Sequence, residues 1–545
     1  MNIRNCFFIF LTCFVFAYKI SFSQILFSFP IDTIDITGNF GEIRNKHFHQ
    51  GIDFSTKGKE NYPVKSIDDG YVYRIKISPY GYGKVMYIHH SSGLLSVYAH
   101  LNSFSDKIQS LVTKYQMQNQ INELDVLLKA DSIKVKKNEI IAFSGNTGTS
   151  SGPHLHFEIR DELTEIPINP LFYFPIQDTT KPVVEHILFY NLSDTISPSP
   201  ILSTFTKIKD TLLLPPIFAV AFSGYDKMYP KGNPNNIYKV QIFLDNQKIY
   251  QHCLQHITFD NTMYVEYYSE KIKNKIVQKC FAPHLYPTYF YDTLVNKGRI
   301  ILSDTNYHQL KLIFCDEKEN CIEKKFIIKT KHTPKYKSIK TNSLILCTQS
   351  NTIKHPYFEI FIPEKSLFND LNANFVFNEK LKKIQWTYSQ SITLKYPAIL
   401  KIHHHFNNNE LKKSVLVSGN KFYSPENFDS QTITFKVNEL NDYYLLVDNT
   451  PPLVKPLSFN KKKKGIILNQ HTPNLFFQIK DNTKIQSIKT YFNNQFCISY
   501  FYGTKHLLKV ELPNELIATD ENFIQIIITD IAGNTTHKTY KIILK

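Results

Sequence analysis

The sequence predicts a mostly β protein, with an antiparallel β-sheet N-terminal domain that carries a helical insertion, followed by immunoglobulin-like β-sandwich modules. Three observations predict this architecture. Strand-like alternation of apolar and polar residues recurs along the chain, one segment after residue 105 changes to helical spacing, and a proline-bearing phrase occurs twice. The chain has 545 residues, 42% of them apolar and 20% charged, which excludes a single small domain and a disordered chain.

The first residues are typical of a secretory signal peptide. Arg4 precedes an apolar run over residues 6–17 in which Thr12 is the one polar residue, and Lys19 follows it closely. A membrane-spanning helix needs about 20 apolar residues, so this run is too short to serve as an anchor. We expect cleavage before Gln24, so that residues 1–23 are removed and the mature protein is exported to the periplasm or cell envelope without an integral membrane span.

Residues 24–176 form the first predicted domain. Residues 71–77 and 85–89 alternate as half-buried strands do. Between residues 106 and 129 the apolar positions change to helical spacing, so we expect a helix or helical hairpin, over about 106–130, inserted between strands. The positions that carry this pattern are Ile108, Leu111, Val112, Tyr115, Ile121, Leu124 and Leu128.

Two pairs of similar sequence segments in the remaining chain indicate related modules. The phrase Asp178-Thr179-Thr180-Lys181-Pro182 recurs as Asp448-Asn449-Thr450-Pro451-Pro452, and such proline-bearing linkers separate domains. A strand that ends at Asp316 and resumes after Asn320 is echoed by one that ends at Asp530 and resumes after Asn534. We therefore expect β-sandwich modules at 177–331 and 449–545, with a less regular β-rich module at 332–448.

Charge and cysteine content add two expectations. Residues 177–545 hold 46 basic and 31 acidic residues, but an exported chain has no nucleic-acid partner. The basic cluster at residues 461–464 could contact an anionic cell-envelope polymer, and a solvated turn is the simpler interpretation.

Of the six cysteines after the signal peptide, Cys315 and Cys321 flank a turn and could form a disulfide. For the others, disulfides and buried free thiols are both open.

Three histidine-bearing segments of the first domain have the spacing of a metal site. His49 and Asp53 stand four apart around Gly51, which permits a tight backbone path. His154 and His156 are two apart on a predicted strand, so their side chains share one face. His100 lies in the segment Tyr98-Ala99-His100-Leu101. A lone histidine on a strand is usually a core residue, but three such segments together indicate metal chemistry.

The residues around these histidines resemble those of the lysostaphin-type (LytM-like) zinc endopeptidases, which act on cell-wall peptidoglycan. The resemblance covers about residues 36–172. It rests on Gly38-Asn39-Phe40-Gly41-Glu42-Ile43-Arg44, on the Tyr-x-His-Leu segment, on Ser144-Gly145-Asn146-Thr147-Gly148 with Ser151-Gly152-Pro153-His154-Leu155-His156, and on Ile168-Asn169-Pro170-Leu171.

The resemblance implies a role for each residue. His49, Asp53 and His156 would ligate one Zn²⁺ ion, leaving a fourth position open, as in catalytic zinc sites. His100 and His154 would be the two catalytic histidines that handle protons and stabilise the oxyanion, and the sequence does not assign the base between them. Glu158 could support His156 or be a surface carboxylate, and Arg44 could line the groove or form a scaffold salt bridge. His47, six residues before Asp53, does not fit the pattern.

The predicted function is that of an exported zinc metalloendopeptidase hydrolysing peptide bonds in peptidoglycan stem or cross-bridge peptides. The alternative is a catalytically silent relative that activates another cell-wall hydrolase. All five expected histidine and aspartate positions are intact, which favours the enzyme. An adhesin-like role of the β-sandwiches is compatible with either function.

Overall fold

A computed structural model describes residues 26–32, 34–44, 46–193, 199–200, 211–262, 265–285, 290–331, 344–388, 391–403, 407–460, 464–468, 474–512 and 521–544. The expected signal peptide, residues 1–23, and residues 461–463 of the basic cluster lie outside these ranges. Strands dominate the described residues and pair mostly antiparallel, which confirms the predicted fold class. Within the same residues, no helix is both long and apolar enough to traverse a lipid bilayer.

The N-terminal domain contains fourteen described strands, one α-helix and a short 3-10 helix. They are β1 (Ile36–Gly38), β2 (Ile43–Arg44), β3 (His47–Phe48), β4 (Ile52–Ser55), β5 (Pro63–Lys65), β6 (Gly70–Ile77), β7 (Lys84–His90), β8 (Leu94–Leu101), β9 (Ser103–Phe104), α1 (Asp106–Asn119), β10 (Leu124–Leu127), β11 (Lys134–Val135), β12 (Ile140–Phe143), β13 (His154–Asp161), β14 (Pro167–Ile168) and the 3-10 helix Pro170–Phe172.

These strands form one large sheet and two small ones. The large sheet has the order β1-β4-β13-β8-β7-β6-β10, with β11 added to β6 and β14 to β13. A three-stranded sheet, β5-β12-β9, and the hairpin β2-β3 accompany it. Every residue of β7 and β8 is buried, so these central strands are covered on both faces.

The insertion consists of a helix followed by a short strand. Helix α1 (Asp106–Asn119) buries Ile108 and Val112 in the domain core, as the helical spacing predicts. The helical prediction for Ile121, Leu124 and Leu128 is wrong, because Gln120 ends the helix in a left-handed conformation. Residues Leu124–Leu127 then pair antiparallel with β6 as an edge strand. The open edge of β6 offers backbone hydrogen bonds that a second helix would leave unused.

The first module, within residues 177–331, contains two six-stranded sheets. Its elements are β15 (Val183–Asn191), β16 (Ser199–Pro200), β17 (Leu212–Leu213), β18 (Ile217–Tyr225), β19 (Lys239–Leu244), β20 (Gln247–Cys253), α2 (Phe259–Thr262), α3 (Val265–Tyr268), β21 (Ser269–Ile272), β22 (Lys275–Lys279), β23 (Tyr291–Leu294), the 3-10 helix Val295–Gly298, β24 (Ile300–Ile301), β25 (His308–Cys315) and β26 (Cys321–Lys329). The predicted disulfide between Cys315 and Cys321 joins β25 to β26.

The second module, within residues 344–448, is built from two five-stranded sheets and a two-stranded one. Its elements are β27 (Leu344–Ile345), β28 (Asn351–His355), β29 (Phe358–Ile362), β30 (Leu371–Asn372), β31 (Phe375–Asn378), β32 (Lys383–Trp386), β33 (Ile392–His403), α4 (Asn408–Lys412), β34 (Ser414–Ser418), β35 (Lys421–Tyr423), β36 (Asn427–Phe428), β37 (Thr432–Leu440) and β38 (Tyr443–Val447).

The third module, within residues 449–544, repeats the pairing scheme of the first. Its elements are β39 (Leu453–Pro456), β40 (Phe459–Asn460), β41 (Gly465–Leu468), β42 (Asn474–Lys480), β43 (Ile485–Phe492), β44 (Gln495–Phe496), β45 (Ser499–Tyr502), the 3-10 helix Gly503–Lys505, β46 (Leu507–Glu511), β47 (Asn522–Asp530) and β48 (Thr535–Leu544). In both modules the last two strands form a hairpin, and a short strand, β17 or β41, runs parallel to the final strand.

The first and third modules both pack against the N-terminal domain. Asn39 and Asn236 exchange two hydrogen bonds of 3.0 Å between the domain and the first module. On the other side, the side chain of Asn122, just after α1, donates to the carbonyl of Ile488 at 2.9 Å and accepts from the amide of Ser499 at 2.8 Å. The inserted segment therefore serves as a docking surface for the third module.

Candidate active site

The alternation of β13 divides apolar from ionisable side chains. Leu155, Phe157 and Ile159 point into the domain core. His154, His156 and Glu158 alternate with them and so point to the opposite face. Asp53 on β4 pairs directly with His156, and directly paired residues of antiparallel strands share a face. The register of two strands thus brings the carboxylate to the histidines.

Three buried side chains converge on one point of this face. His49 Nε2 lies 3.2 Å from Asp53 Oδ1, His156 Nδ1 lies 2.9 Å from the same oxygen, and the two ring nitrogens are 2.9 Å apart. In a tetrahedral zinc site with bonds of about 2.0–2.1 Å, ligand atoms are roughly 3.3 Å apart. His49, Asp53 and His156 could therefore hold one metal ion with little movement.

Hydrogen bonds on the far side of each ring turn a lone pair towards this point. His49 Nδ1 donates to the carbonyl of Asn39 at 2.8 Å, which leaves Nε2 as the atom that faces Asp53. His156 Nε2 donates to Glu158 Oε1 at 2.9 Å, which leaves Nδ1 facing the same place. Partners of this kind fix the tautomer and orientation of metal-binding histidines.

The electrostatics of the cluster favour a cation. Burial lowers the pKa of His49 and disfavours its charged form. Burial acts on His156 in the same direction, but its hydrogen bonds to the ionised Asp53 and Glu158 outweigh burial and raise the pKa of His156 to about 9. The pKa of Asp53 lies well below its usual range because the two histidines oppose the effect of burial. The site therefore stabilises positive charge next to an ionised carboxylate.

His100 and His154 stand beside the three ligand candidates. His100 Nδ1 donates to the carbonyl of Thr147 and His154 Nδ1 to that of Gly152, each at 2.8 Å. The two rings are 4.8 Å apart, centroid to centroid. Nε2 of His154 lies 3.5 Å from Asp53 Oδ1, and it is buried without a hydrogen-bond partner among the described residues. Burial, together with the neighbouring histidines, lowers the pKa of His100 to about 3.

An unusual backbone conformation places His100 in the site. Its φ is 58°, in the left-handed region that few residues other than glycine adopt. Ala99 is the residue of β8 that pairs with His156, so a regular strand would direct the next side chain to the opposite face. The left-handed conformation breaks that alternation, and the His100 ring lies 5.8 Å from the ring of His156.

Sequence analysis missed two supporting residues. Tyr82 donates a short hydrogen bond from its hydroxyl to Glu158, and its ring stacks on His156 at 5.3 Å. Asn39 supplies the carbonyl that orients His49, although its segment was part of the recognised pattern. Tyr82 lies in the Gly81-Tyr82-Gly83 turn, and the two flanking glycines were the only available signal for it.

The structure decides several alternatives that the sequence left open. Glu158 is completely buried and bonded to His156, so it is not a surface carboxylate. Arg44 forms ion pairs of 2.6 Å with Asp53 Oδ2 and 2.9 Å with Glu42, which places it beside the site as part of a salt bridge. His47 is exposed on β3 and does not belong to the cluster of ligand atoms.

Comparison with known proteins is consistent with this arrangement. Residues 47–122 and 106–170 match the family described as Peptidase family M23. The DD-carboxypeptidase/endopeptidase Mpg of Neisseria meningitidis serogroup B is 35% identical over 123 residues, which are 23% of this chain and 22% of that protein. The peptidoglycan DD-endopeptidase ShyB of Vibrio cholerae is 37% identical over 111 residues, 20% of each chain. The chain thus spans about a fifth of the length of these curated relatives.

Solved structures are also similar to part of this chain. A zinc-containing peptidase from Vibrio cholerae is 28% identical, with 27% of this chain and 39% of that chain covered and a TM-score of 0.20. The catalytic domain of lysostaphin from Staphylococcus simulans is 24% identical, with 24% and 86% covered and a TM-score of 0.19.

Proposed function

We propose that this chain is an exported zinc metalloendopeptidase that hydrolyses peptide bonds in the stem or cross-bridge peptides of peptidoglycan. The observation that carries the proposal is the convergence of His49 Nε2, Asp53 Oδ1 and His156 Nδ1 within 3.2 Å, beside the buried Nε2 of His154. The M23 match over residues 47–170 supports a peptidase. The relatives named as peptidoglycan endopeptidases support the substrate class.

The three convergent residues suit Zn²⁺ by their chemistry. Two imidazole nitrogens and one carboxylate oxygen are the donor set of many catalytic zinc sites, with a further position left for a reacting molecule. When bound, the ion supplies Lewis-acid polarisation of the scissile carbonyl and lowers the pKa of water. His156 would give up its Nδ1 proton to bind the ion and keep its Nε2 proton, which it donates in a hydrogen bond to Glu158.

His100 and His154 are the residues that would handle the reacting groups. Both rings are held through Nδ1 by backbone carbonyls, so neither needs to reorient during turnover. A neutral imidazole with a free Nε2 lone pair can accept a proton from the attacking water. Once protonated, the same nitrogen can donate to the oxygen that gains charge from the scissile carbonyl.

Export is proposed from the sequence of residues 1–23, which would bring the enzyme to the polymer it cleaves. The basic tail, which includes the Lys-rich segment 461–464, is proposed to contact the anionic cell envelope.

Substitutions should separate metal binding from turnover. We expect His49→Ala and Asp53→Ala to abolish both stoichiometric zinc and the digestion of purified sacculi. His100→Ala should retain zinc and lose at least about 100-fold in rate, because it removes a proton-handling group. Zinc content is measured by elemental analysis and digestion by release of muropeptides. A zinc-replete parent protein that digests no sacculi would instead indicate the silent regulator.

A further inference from the structure

Two clusters of three aspartates share no residue with the proposed zinc centre. The first linker site comprises Asp178, Asp226 and Asp316, and the second comprises Asp448, Asp481 and Asp530. Within each site, one carboxylate oxygen per residue lies within 4.8 Å of the others. Both sites lie where a proline-bearing linker enters a β-sandwich module, and neither has a part in the proposed hydrolysis.

The two sites occupy equivalent places in their modules. The first aspartate of each site precedes the first strand of its module, β15 or β39. The second directly follows the strand that pairs with it, β18 or β42. The third stands at the end of β25 or β47, where the final hairpin turns. Duplication of all three positions argues that the cluster is a property of the module.

The hydrogen bonds around the sites are duplicated as well. The amide group of Asn320 donates to the carbonyl of Asp178 at 3.0 Å and to Asp316 Oδ2 at 2.7 Å. Asn534 donates in the same way to the carbonyl of Asp448 at 2.8 Å and to Asp530 Oδ2 at 2.9 Å. Each asparagine thus ties the linker to the hairpin and holds two members of the cluster together.

A carboxylate oxygen in each site lacks the partner that burial demands. Asp226 is 2% exposed, and its Oδ1 is buried without a hydrogen-bond partner in the described chain. Oδ2 of Asp481 is likewise buried and has no hydrogen-bond partner among the described residues. An unpaired buried carboxylate oxygen is strongly unfavourable, so these atoms call for a ligand that is a proton or a cation.

The negative charges gathered at both linker sites distinguish them from ordinary hydrogen-bonded clusters. Burial raises the pKa of Asp226 to about 8, and the neighbouring Glu317, Asp178 and Asp316 add to the effect. Burial likewise raises the pKa of Asp481, with contributions from Asp530 and Asp448. Like charges held together in this way require neutralisation.

We propose that each linker site binds one hard divalent cation of the Ca²⁺ type. The donors are carboxylate oxygens, which suit Ca²⁺ and Mg²⁺ and not the zinc that His49 and His156 favour. Two oxygens bound to one Ca²⁺ at about 2.5 Å are at most about 5 Å apart, which accommodates the observed spacing. Ca²⁺ accepts irregular coordination, whereas Mg²⁺ demands a near-ideal octahedron.

Bound cations would fix the orientation of the first and third modules relative to the domains that precede them. Asp178 belongs to the linker that leaves the N-terminal domain, and Glu317, next to Asp316, accepts a hydrogen bond of 3.0 Å from Asn169 of that domain. The first site would therefore hold the first module against the N-terminal domain. The second would hold the third module against the second, because Asp448 follows the last strand of the second module.

Calcium binding by the mature chain, with its zinc centre kept loaded, tests the proposal. We expect two bound Ca²⁺ ions by equilibrium dialysis, with dissociation constants of about 10⁻⁴–10⁻³ M, the range of extracellular calcium modules. Asp226→Asn and Asp481→Asn should each lose one ion, and the double variant should lose both. Asp131→Asn, the same change at an exposed aspartate outside both sites, should keep two.

Thermal unfolding adds a test that does not depend on counting ions. In calcium-free buffer at about pH 9, where Asp226 is ionised, Asp226→Asn should melt above the parent protein, because it removes like-charge repulsion. In millimolar Ca²⁺ at the same pH the order should reverse. A variant that melts below the parent equally in both buffers would show a plain hydrogen-bonding role and overturn the proposal. So would a parent protein that binds no Ca²⁺ at several millimolar, or one that binds Mg²⁺ in its place.

Discussion

Glu158 is the buried carboxylate that links His156 to the rest of the sheet. It accepts hydrogen bonds from His156 and from the hydroxyl of Tyr82, and it forms a 2.6 Å ion pair with Arg160. Although burial alone would raise its pKa, the charge of Arg160 and the bond from His156 lower the pKa of Glu158 to about 2. Glu158 is therefore a positioning residue, ionised at any ordinary pH.

Replacing this carboxylate should weaken zinc binding without removing a ligand. We expect Glu158→Gln to lower zinc affinity by about 10–100-fold, because a neutral amide holds the His156 tautomer less firmly. Affinity is measured by competition with a chromogenic chelator. Glu162→Gln is the matched control, since Glu162 accepts a 2.9 Å bond from His89 away from the site. Equal zinc affinity in both variants would contradict the role given to Glu158.

Single residues show what local pattern can predict. The two-residue period of a strand correctly predicts that His154 and His156 share a face. The same rule would place His100 on the wrong face, because nothing in Tyr98-Ala99-His100-Leu101 indicates a left-handed residue. Only the family resemblance brought His100 to the site, and the turn that permits it depends on contacts such as the 2.9 Å bond from its amide to the carbonyl of Tyr82.

At the scale of elements, the site depends on how closely the loop before β4 approaches β13. A Cβ atom built on Gly51 would lie 2.3 Å from the carbonyl oxygen of Phe157 and 3.1 Å from Cε1 of His156. The sequence predicts a glycine here for a tight backbone path, and the structure gives the reason as space for the neighbouring strand. His49 and Asp53 can reach His156 only because this position has no side chain.

A methyl group at this junction should therefore separate the strands. We expect Gly51→Ala to destabilise the fold by about 1–3 kcal/mol through overpacking and to reduce zinc occupancy as the ligand atoms move apart. Gly152→Ala is the control, because a Cβ there meets nothing within 4 Å although Gly152 orients His154. Urea unfolding and zinc content are the measurements. Zinc occupancy and stability equal to those of the control would contradict this account.

The insertion shows where periodicity fails. Apolar residues at 108 and 112 correctly predict a helix, yet Leu124 is also buried and belongs to a strand. A short apolar segment fits both the helical and the strand periodicity, and here the free edge of β6 stabilises the strand by pairing with it. Such long-range pairing cannot be read from 24 residues taken alone.

At the scale of the whole molecule, two modules contact the residues that hold the site. Asn236 of the first module bonds to Asn39, whose carbonyl orients His49. On the opposite side, Tyr500 of the third module covers Lys84. The backbone amide of Lys84 donates to Thr147 Oγ1 at 3.0 Å, and the carbonyl of Thr147 holds His100. The sequence repeat predicts these modules, but it does not predict that both pack against the N-terminal domain.

The contact between Lys84 and Tyr500 makes stability depend on pH. Nζ of Lys84 lies 3.8 Å from the centre of the Tyr500 ring and donates to the carbonyl of Asn102 at 2.9 Å. Burial lowers its pKa from 10.5 to about 8. Below pH 8 both the folded and unfolded chains carry the proton, so this group adds no pH dependence. Between about pH 8 and 10.5 the unfolded chain binds more protons at this lysine, so the contribution of Lys84 to stability rises with pH.

Comparison with Lys84→Met isolates this contribution. We expect the free energy of unfolding of the parent protein, relative to that of Lys84→Met, to increase from pH 8 to 10.5 by at most about 3 kcal/mol. Denaturant unfolding followed at several pH values measures it. Lys107→Met, at an exposed lysine of α1, should give a flat difference over the same range. A flat difference for Lys84→Met as well would mean that this lysine is hydrated, and that the third module does not cover it in solution.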